Sequence, residues 1–520
     1  MTPTAEGRGE SARDDRVSYW LASTAREAQA QQSVPDRAEV VVIGAGIVGL
    51  TAAHLLCKAG RDVVVLEADE VAAGVSGYTS AKLTVGHGLA YSRLESAFDA
   101  RTARLYAESQ SAALAFVRTT CADASIDCDL ETVQNYVFAE SSDELDRVRE
   151  EVEAASRAGL PASLADPSEV PVACEGAVRL ADQAQFHVRK YLLALAEFVA
   201  VKGTLVEGAR VTEIADPESG GHRVSVGDES IDADAVVVAT HYPIVEQRFF
   251  VPRIHPRRSY VVAAPLSEGS KLEGMFINAT LPTRSFRTTP FPDGSRLLLV
   301  GGEGHRVGQD EDTEDRYATL ERYMRDHFDV GETRYRWSTQ DLHAVDGLPY
   351  IGRVEEHEGL FTATGFAGWG MTGGTVAGML IAGDIQRETS PWADLYDLGR
   401  RHLSASASRL VKENTNVAAE LIGGKVRRRP HTADGLATGE GAVISVDGED
   451  LAVSRDTDGK LRAVRAACTH MGCVVEWNKA ESSWDCPCHG SRFAADGRVL
   501  HGPAVKPLEE LRPPSPTEPK

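Results

Sequence analysis

The glycine-rich stretch VVVIGAGIVGL at residues 40–50 constrains the fold more than any other feature of the chain. Residues 39–43 form a compact β-branched run, which is typical of a buried parallel strand. A G-x-G-x-x-G motif follows at once and is formed by Gly44, Gly46 and Gly49. The sequence then predicts a helix from Leu50 to Lys58 and a second strand that ends in Glu67.

These elements together form a βαβ unit that binds a dinucleotide. The glycines let the backbone approach a pyrophosphate at the N-terminus of the helix, and Glu67 stands where an acid accepts hydrogen bonds from ribose hydroxyls. The motif alone does not choose between FAD and NAD, which both carry a pyrophosphate and a ribose.

Four cysteines and two histidines are concentrated in residues 468–491, near the other end of the chain. Two mixed pairs can be recognised there, Cys468-x-His470 and Cys486-x-x-His489. A set of two cysteines and two histidines can close a tetrahedral zinc site, although zinc sites usually place two cysteines in one pair and two histidines in the other. Mixed pairs also suit a 2Fe-2S centre in which one iron takes two thiolates and the other takes two imidazoles. The residues alone leave both metals open.

The pattern C-x-H-x-G-C followed by C-P-C-H-G-S resembles the Rieske proteins, and its extra cysteine pair resembles the respiratory cytochrome bc type. The resemblance implies a 2Fe-2S cluster, and its four ligands are Cys468, His470, Cys486 and His489. It also implies a disulfide between Cys473 and Cys488. A disulfide is unusual in a reducing compartment, but a bond shielded beside a cluster can persist.

Two later segments indicate which dinucleotide the chain binds. The segment ADAVVVATHYP at 233–243 predicts a strand that ends at Ala239 and Thr240, and residues 360–385 predict a strand, a glycine-rich turn and a helix. Together with DGLPYIG at 346–352, this order resembles the FAD-dependent amine and amino-acid oxidoreductases of the D-amino-acid oxidase and glycine oxidase superfamily. The resemblance extends over about residues 38 to 390.

This resemblance implies a set of FAD-binding residues. They are Gly44, Gly46, Gly49, Glu67, Ala68, Thr79, Ser80, Ala81, Lys82, Val211, Ala239, Thr240, Gly370, Met371 and Thr372. Some relatives attach the flavin covalently to a histidine in this region, whereas Thr79 occupies the matching place here. We therefore expect FAD to be bound without a covalent link.

Candidate catalytic residues follow from their expected closeness to the flavin. They are Lys82, His87, Arg287 and Trp369. The alternative role for Lys82 is a surface salt bridge, and for His87 it is a hydrogen-bonded structural position. Arg284 and Arg287 are three residues apart, which places them on opposite faces of a strand, so at most one of them faces a pocket. A guanidinium there can clamp a substrate carboxylate. His305 and His343 are further candidates for the pocket wall.

The predicted fold class is α/β: a Rossmann-like FAD-binding domain with an interleaved α+β substrate domain, and a small all-β Rieske domain. We expect an N-terminal arm at 1–37, the oxidoreductase at 38–398, a helical linker at 399–430, the Rieske domain at 431–512 and a disordered tail at 513–520. Short strand patterns separated by turns at Asp447-Gly448 and Asp458-Gly459 indicate the β domain.

Charge and hydropathy exclude several partners. The formal net charge is -22, and the basic run KVRRRP at 425–430 is short, so nucleic acid is not an expected partner. The first 33 residues contain no apolar signal region, and no 18 apolar residues run together. We therefore expect a cytoplasmic protein without a membrane span.

A flavin body joined to a Rieske module resembles the bacterial FAD-dependent oxidoreductases that carry such a domain. It predicts a dehydrogenase that oxidises an amine or amino acid by hydride transfer to FAD. The electrons would then pass singly through the cluster to an acceptor such as a ferredoxin, a cytochrome or a quinone-linked carrier. The alternatives are a peroxide-producing FAD oxidase with a structural cluster and a non-catalytic redox carrier or sensor. The sequence does not identify the substrate, the acceptor, the direction of electron flow or the oligomeric state.

Overall fold

The computed structural model describes residues 16–26, 33–217, 220–245, 247–309, 312–400, 411–417, 419–421, 432–433 and 435–514. Several regions predicted from the sequence lie partly outside these ranges. They are two parts of the N-terminal arm (1–15 and 27–32), three parts of the helical linker (401–410, 418 and 422–430) and most of the predicted disordered tail (515–520). Within the described ranges, the structure contains no helix with the length and apolar character needed to cross a lipid bilayer.

A predominantly parallel sheet contains the predicted βαβ unit. Five parallel strands lie in the order Leu360–Thr364, Glu229–Val238, Arg37–Ile43, Val63–Leu66 and Thr204–Val206. Antiparallel additions to this sheet are Tyr350–Arg353 at the edge, and Val211–Ala215 with His222–Val226. Helices that pack together beside the sheet are Ile47–Lys58, Val188–Lys202 and Gly370–Ile385. All four residues of Val63–Leu66 are buried, as the apolar run predicted.

The turn after the first strand depends on two of its glycines. Gly44 has a φ of +107°, and a Cβ atom there would lie 2.6 Å from the carbonyl oxygen of Ala239. A Cβ atom on Gly49 would lie 1.9 Å from the carbonyl oxygen of Gly44. A side chain at either position would therefore collide with backbone, which is why the motif requires glycine there. The helix begins at Ile47, three residues before the predicted start.

A nine-stranded sheet forms the second layer. Its strands lie in the order Tyr335–Ala344, Ile254–Pro265, Arg296–Arg306, Arg284–Pro290, Met275–Asn278, Glu131–Ala139, Gly176–Gln185 and Lys82–Leu83, and Ala162–Ala165 pairs with Gly176–Gln185. The longer helices of this region are Ala90–Ala97, Ala100–Asp123, Ser142–Arg157 and Glu314–His327. Short helical turns are Val75–Tyr78, Pro167–Glu169, Gln247–Phe250 and Ala393–Tyr396. Because the chain passes repeatedly between the two sheets, the predicted interleaving of the subdomains is observed.

The C-terminal domain consists of two small antiparallel sheets. The first contains Gly441–Val446, Glu449–Arg455, Leu461–Arg465 and Glu510–Leu511, and the second contains Glu476–Asn478, Ser483–Asp485, Arg492–Ala494 and Val499–His501. The predicted turn at Asp447-Gly448 has positive φ at both residues, +51° and +85°, as a two-residue hairpin of type I′ requires. Residues 411–417 and 419–421 form a helix ahead of this domain.

The predicted N-terminal arm is in part a packed element of the body. A short helix, Tyr19–Ala22, buries Tyr19 and Trp20 in the main hydrophobic core. The indole nitrogen of Trp20 donates to the carbonyl oxygen of Thr79 at 2.6 Å, and the Ser18 hydroxyl donates to that of Gly77 at 2.5 Å. This segment therefore supports the backbone of residues 77–79, which the resemblance places next to a flavin.

Candidate functional site

A cavity of about 540 Å³ lies where the two sheets meet. The Gly44 turn, Glu67 and the Ala239-Thr240 turn line it at the carboxyl ends of three parallel strands. The second sheet contributes to the opposite wall, for example through Ser285. Open α/β sheets bind ligands at this edge of the sheet.

Glu67 organises the dinucleotide end of the cavity. Its carboxylate accepts hydrogen bonds from the backbone N–H of Ala45 at 2.7 Å and of Asp69 at 3.0 Å. Burial raises the pKa of Glu67, and these two N–H groups oppose that rise because they stabilise the carboxylate. Gly46 also lines the cavity, and a Cβ atom there would lie 3.1 Å from Ser76 Oγ, so glycine keeps the floor open. This cradle fits a dinucleotide.

Most residues of the predicted FAD-binding set line this cavity. They are Gly44, Gly46, Glu67, Ala68, Thr79, Ser80, Lys82, Val211, Ala239, Thr240, Gly370 and Met371, and Trp369 lines it as well. Among the described residues that form the wall, three members of the set do not appear. Gly49 packs under the turn, Ala81 is buried with a φ of +54°, and the Thr372 hydroxyl donates to the carbonyl oxygen of Thr84 at 3.3 Å.

Lys82 lies deep in the cavity wall rather than in a surface salt bridge. Its Nζ donates to the carbonyl oxygen of Phe276 at 2.6 Å and to Ser285 Oγ at 2.5 Å. Burial, followed by the nearby Arg287 guanidinium, lowers the pKa of Lys82 to about 7. A neutral amine has two N–H donors and one lone pair, so these two acceptors satisfy the donors and leave the lone pair available.

His87 occupies a structural position behind the cavity. Its Nε2 lies 2.7 Å from the carbonyl oxygen of Thr84 and therefore donates, while Nδ1 accepts from the Tyr106 hydroxyl at 2.7 Å. The ring stacks on Trp369 with 4.5 Å between centroids. Burial lowers the pKa of His87 to about 3. The structural role that the sequence left as the alternative is the one observed.

Arg284 and Arg287, of which at most one was a candidate for a substrate clamp, both make contacts within the protein. Arg287 Nε donates to the carbonyl oxygen of Ser80 at 2.5 Å, and its guanidinium lies 5.1 Å from the centroid of the Trp20 ring. Arg284 pairs with Glu303 at 2.5 Å. Neither arginine belongs to the cavity wall formed by the described residues. Arg287 instead fixes the backbone beside Lys82, because local contacts already use its donors.

Asp341 and Tyr242 are among the polar wall residues that were not predicted from the sequence. Asp341 lines the cavity next to the predicted wall residue His343, and burial raises the pKa of Asp341 to about 6. Tyr242, immediately after the Thr240 turn, also lines it. Alternation along the strand Tyr335–Ala344 was the available signal, since Thr339, Asp341 and His343 share one face. His305, the other predicted wall residue, is hydrogen-bonded to the Tyr260 hydroxyl at 2.9 Å.

The two cysteine-histidine loops converge in the C-terminal domain. The thiols of Cys468 and Cys486 are in contact, and this contact lowers the pKa of Cys468 to about 7. The rings of His470 and His489 lie with centroids 5.0 Å apart. Cys473 and Cys488 form a disulfide. The sulfurs of Cys473, Cys486 and Cys488 lie within 4.8 Å of one another, but the disulfide removes two of them as metal ligands.

The four converging side chains suit a 2Fe-2S cluster. Both ring nitrogens of His489, and Nδ1 of His470, are buried without a hydrogen-bond partner among the residues that the structure describes. Unpaired buried ring nitrogens are costly unless a ligand uses them. Two thiols next to two imidazoles provide the two kinds of ligand that the two irons of such a cluster need.

The fold and both sites define a flavoprotein joined to an iron-sulfur module. Residues 39–383 match the FAD dependent oxidoreductase family, and residues 431–512 match the Rieske 2Fe-2S domain. The chain belongs to the FAD dependent oxidoreductase family and carries a C-terminal Rieske 2Fe-2S domain. The predicted family, fold class and cofactors, FAD and a 2Fe-2S cluster, are thereby confirmed.

One curated relative is similar to this chain over almost the whole length of both proteins. The chain is 32% identical over 503 residues to the Rieske 2Fe-2S iron-sulfur protein YhfW of Bacillus subtilis (strain 168), covering 96% of this chain and 98% of the relative. Among solved structures, glycine oxidase from Geobacillus kaustophilus matches with a TM-score of 0.60 at 20% identity, over 71% of this chain and 100% of that chain. L-proline dehydrogenase from P. horikoshii matches with a TM-score of 0.60 at 19% identity, over 70% and 98%. At these identities the solved structures show the fold alone.

Proposed function

We propose that the protein is a dehydrogenase that oxidises an amine or amino acid at FAD and passes the electrons singly through its Rieske cluster to an external acceptor. One observation carries this proposal: the two modules share the cavity. Rieske-domain residues that line it are Leu500, His501, Gly502, Ala504 and Val505. Tyr242 lines the same cavity, and its ring lies edge-on to the cluster ligand His470 with 6.5 Å between centroids.

Bound FAD supplies a two-electron acceptor for hydride, and a 2Fe-2S cluster accepts one electron at a time. In our proposal the Gly44 turn and Glu67 hold the dinucleotide end of the cofactor. Thr79, Ser80, Gly370 and Met371 lie along the rest of the cavity and would hold its other end. The close approach of the cluster loops to this cavity gives the electrons an exit within the same chain.

Lys82 is the residue that we propose to act on the substrate. An amine must lose its ammonium proton before it can donate hydride, and a neutral lysine can accept that proton. Lys82 Nζ donates hydrogen bonds to Phe276 O and Ser285 Oγ, and these two acceptors hold the lysine side chain in place. Trp369 forms a flat wall stacked on His87 and would limit the orientation of the substrate.

The choice between dehydrogenase and oxidase does not follow from the fold. The relatives of known structure include one that is called an oxidase and one that is called a dehydrogenase, with equal TM-scores of 0.60. The shared cavity favours electron exit through the cluster, because a cluster with a purely structural role would not have to lie close to the flavin.

The proposal is tested by mixing the purified holoprotein anaerobically with a panel of amino acids and simple amines. With a substrate, the flavin absorbance should bleach first and the cluster should then become reduced, which electron paramagnetic resonance detects. In air, turnover with a one-electron acceptor should exceed the yield of hydrogen peroxide. Stoichiometric peroxide with an oxidised cluster would identify an oxidase, and no reduction by any amine would identify a carrier or sensor.

The rate of flavin reduction should depend on pH through the protonation state of Lys82. Since the neutral form accepts the proton and the pKa of Lys82 is lowered to about 7, the rate of flavin bleaching should rise as the pH increases through about 7 and then level off. Lys82→Met should lower the plateau by about 10²-fold and remove this limb. Lys190→Met is a matched control. Lys190 forms a 2.8 Å ion pair with Asp129 and does not line the cavity. A Lys82→Met profile with the same limb would exclude Lys82 as the proton acceptor.

A further inference from the structure

The Rieske domain is anchored to the flavoprotein body at its Ala480-Glu481 turn. Glu481 forms a 3.0 Å ion pair with Arg258, a body residue whose side chain is 1% exposed. It also accepts a hydrogen bond from the Tyr317 hydroxyl at 2.9 Å. The neighbouring Ala480 N–H donates to Thr313 Oγ1 at 3.0 Å, and Ala480 is buried in a hydrophobic core made of body residues. This turn is therefore inserted into the body.

A second anchor lies on the ligand loop that carries Cys486 and His489. The side-chain amide of Gln340 donates to the carbonyl oxygen of Gly490 at 2.9 Å. Gly308 of the body has a φ of +66°, and a Cβ atom there would lie 2.8 Å from the backbone nitrogen of Pro487. Glycine at 308 thus lets the body approach the backbone of the ligand loop directly.

The helical residues 411–417 and 419–421 supply a third anchor. Glu413 pairs with Arg306 of the body at 2.8 Å, and Asn416 accepts a hydrogen bond from Gln309 at 2.8 Å. On its other side, Val417 and Leu421 pack against the hydrophobic core of the Rieske domain. The helix therefore contacts both modules.

We propose that these three anchors keep the Rieske domain docked in one position throughout turnover, with Glu481 and Gly308 as positioning residues for electron transfer from the flavin site to the cluster. This inference rests on the proposed function. A domain attached at one point can pivot, whereas three separated points fix both its distance and its orientation. The buried ion pair alone would be weak evidence for stability, but removal of the Glu481 charge takes from the buried Arg258 its ion-pair partner. The geometry points to transfer without a domain movement.

The main test is a wedge at the second anchor. Gly308→Ala inserts a methyl group against Pro487. Gly227→Ala is the matched control, because Gly227 has a φ of +57° and a Cβ atom there would meet nothing within 4 Å. In anaerobic stopped-flow experiments, Gly308→Ala should bleach the flavin at the wild-type rate but reduce the cluster roughly ten- to hundredfold more slowly. Gly227→Ala should match the wild type in both steps. The resonance spectrum of the dithionite-reduced cluster should be unchanged in both variants.

Glu481→Gln tests the first anchor independently and should slow the same step. Its control is Glu440→Gln. Glu440 forms an exposed 3.5 Å ion pair with Lys479, and both residues belong to the Rieske domain. Hydrogen exchange at residues 480–490 should be faster in Gly308→Ala and Glu481→Gln than in their controls. Wild-type exchange in both variants, or wild-type cluster reduction in both, would overturn the docking proposal and leave the proposed function intact. If substrate does not reduce the wild-type cluster, the proposed function is wrong. The hydrogen-exchange rates of the variants would still test whether the Rieske domain is docked.

Discussion

Replacing Cys486 with Ser should eliminate the 2Fe-2S cluster and leave reduction of the flavin by substrate intact. The side chain is 1% exposed and lies in contact with Cys468, so the variant removes one of the two thiols that converge there. In the proposed function hydride transfer takes place in the cavity, whose wall does not include Cys486. In metal sites, loss of a residue that only hydrogen-bonds to a ligand already lowers metal affinity or activity by about 10- to 100-fold. Loss of a ligand itself should therefore lower turnover with a one-electron acceptor by at least about 10²-fold.

Cys174→Ser is the matched control, since Cys174 is a partly exposed cysteine of the body. It should retain the iron content, the cluster spectrum and wild-type turnover. The measurement combines iron analysis, the visible spectrum and turnover with and without oxygen. Wild-type turnover of Cys486→Ser with the one-electron acceptor would mean that electrons do not leave through the cluster.

Replacing Glu67 with Arg should expel FAD and leave the cluster in place. The carboxylate accepts hydrogen bonds from Ala45 and Asp69, and a guanidinium would direct donors and positive charge at these same N–H groups. The carboxylate also stands where two ribose hydroxyls would donate to it, and two hydrogen bonds to a charged group contribute about 3–6 kcal/mol. If that energy is lost from the bound state, FAD affinity should fall by about 10²- to 10⁴-fold.

Flavin content after gel filtration, together with the cluster spectrum, measures this effect. Glu229→Arg provides the same charge reversal at an exposed strand position and should keep its FAD. Retention of stoichiometric flavin by Glu67→Arg would mean that the turn does not depend on this carboxylate. Loss of both cofactors would mean that the flavoprotein body and the Rieske domain unfold together.

The predicted elements that formed as expected are those with local causes. The strand before Gly44 and the helix after it follow from apolar periodicity and a turn that sterically requires glycine. The hairpin at Asp447-Gly448 follows from residues that tolerate positive φ.

The candidate site residues that the structure places outside the cavity wall depend on what a side chain meets across the fold. His87, with a structural position as its alternative, and at most one arginine of the Arg284 and Arg287 pair were candidates for the pocket, and these side chains are satisfied by Tyr106, Glu303 and backbone carbonyl groups. Asp341 was missed for the same reason, because the face of a strand that borders a cavity depends on the layer packed against it.

By itself the sequence determined a dinucleotide site and a metal or iron-sulfur site, since the glycine turn, its acid and the paired cysteines and histidines act through spacing over a few residues. The resemblance to two known families then indicated FAD and a 2Fe-2S cluster. Only the tertiary structure decided that the two chemistries meet. Contacts such as Arg258 with Glu481, and Tyr242 with His470, join residues more than 200 positions apart. No local pattern specifies such pairs, because their formation depends on the packing of both domains and of the helix between them. That packing is what places residues such as His501 and Gly502 of the Rieske domain on the wall of the cavity.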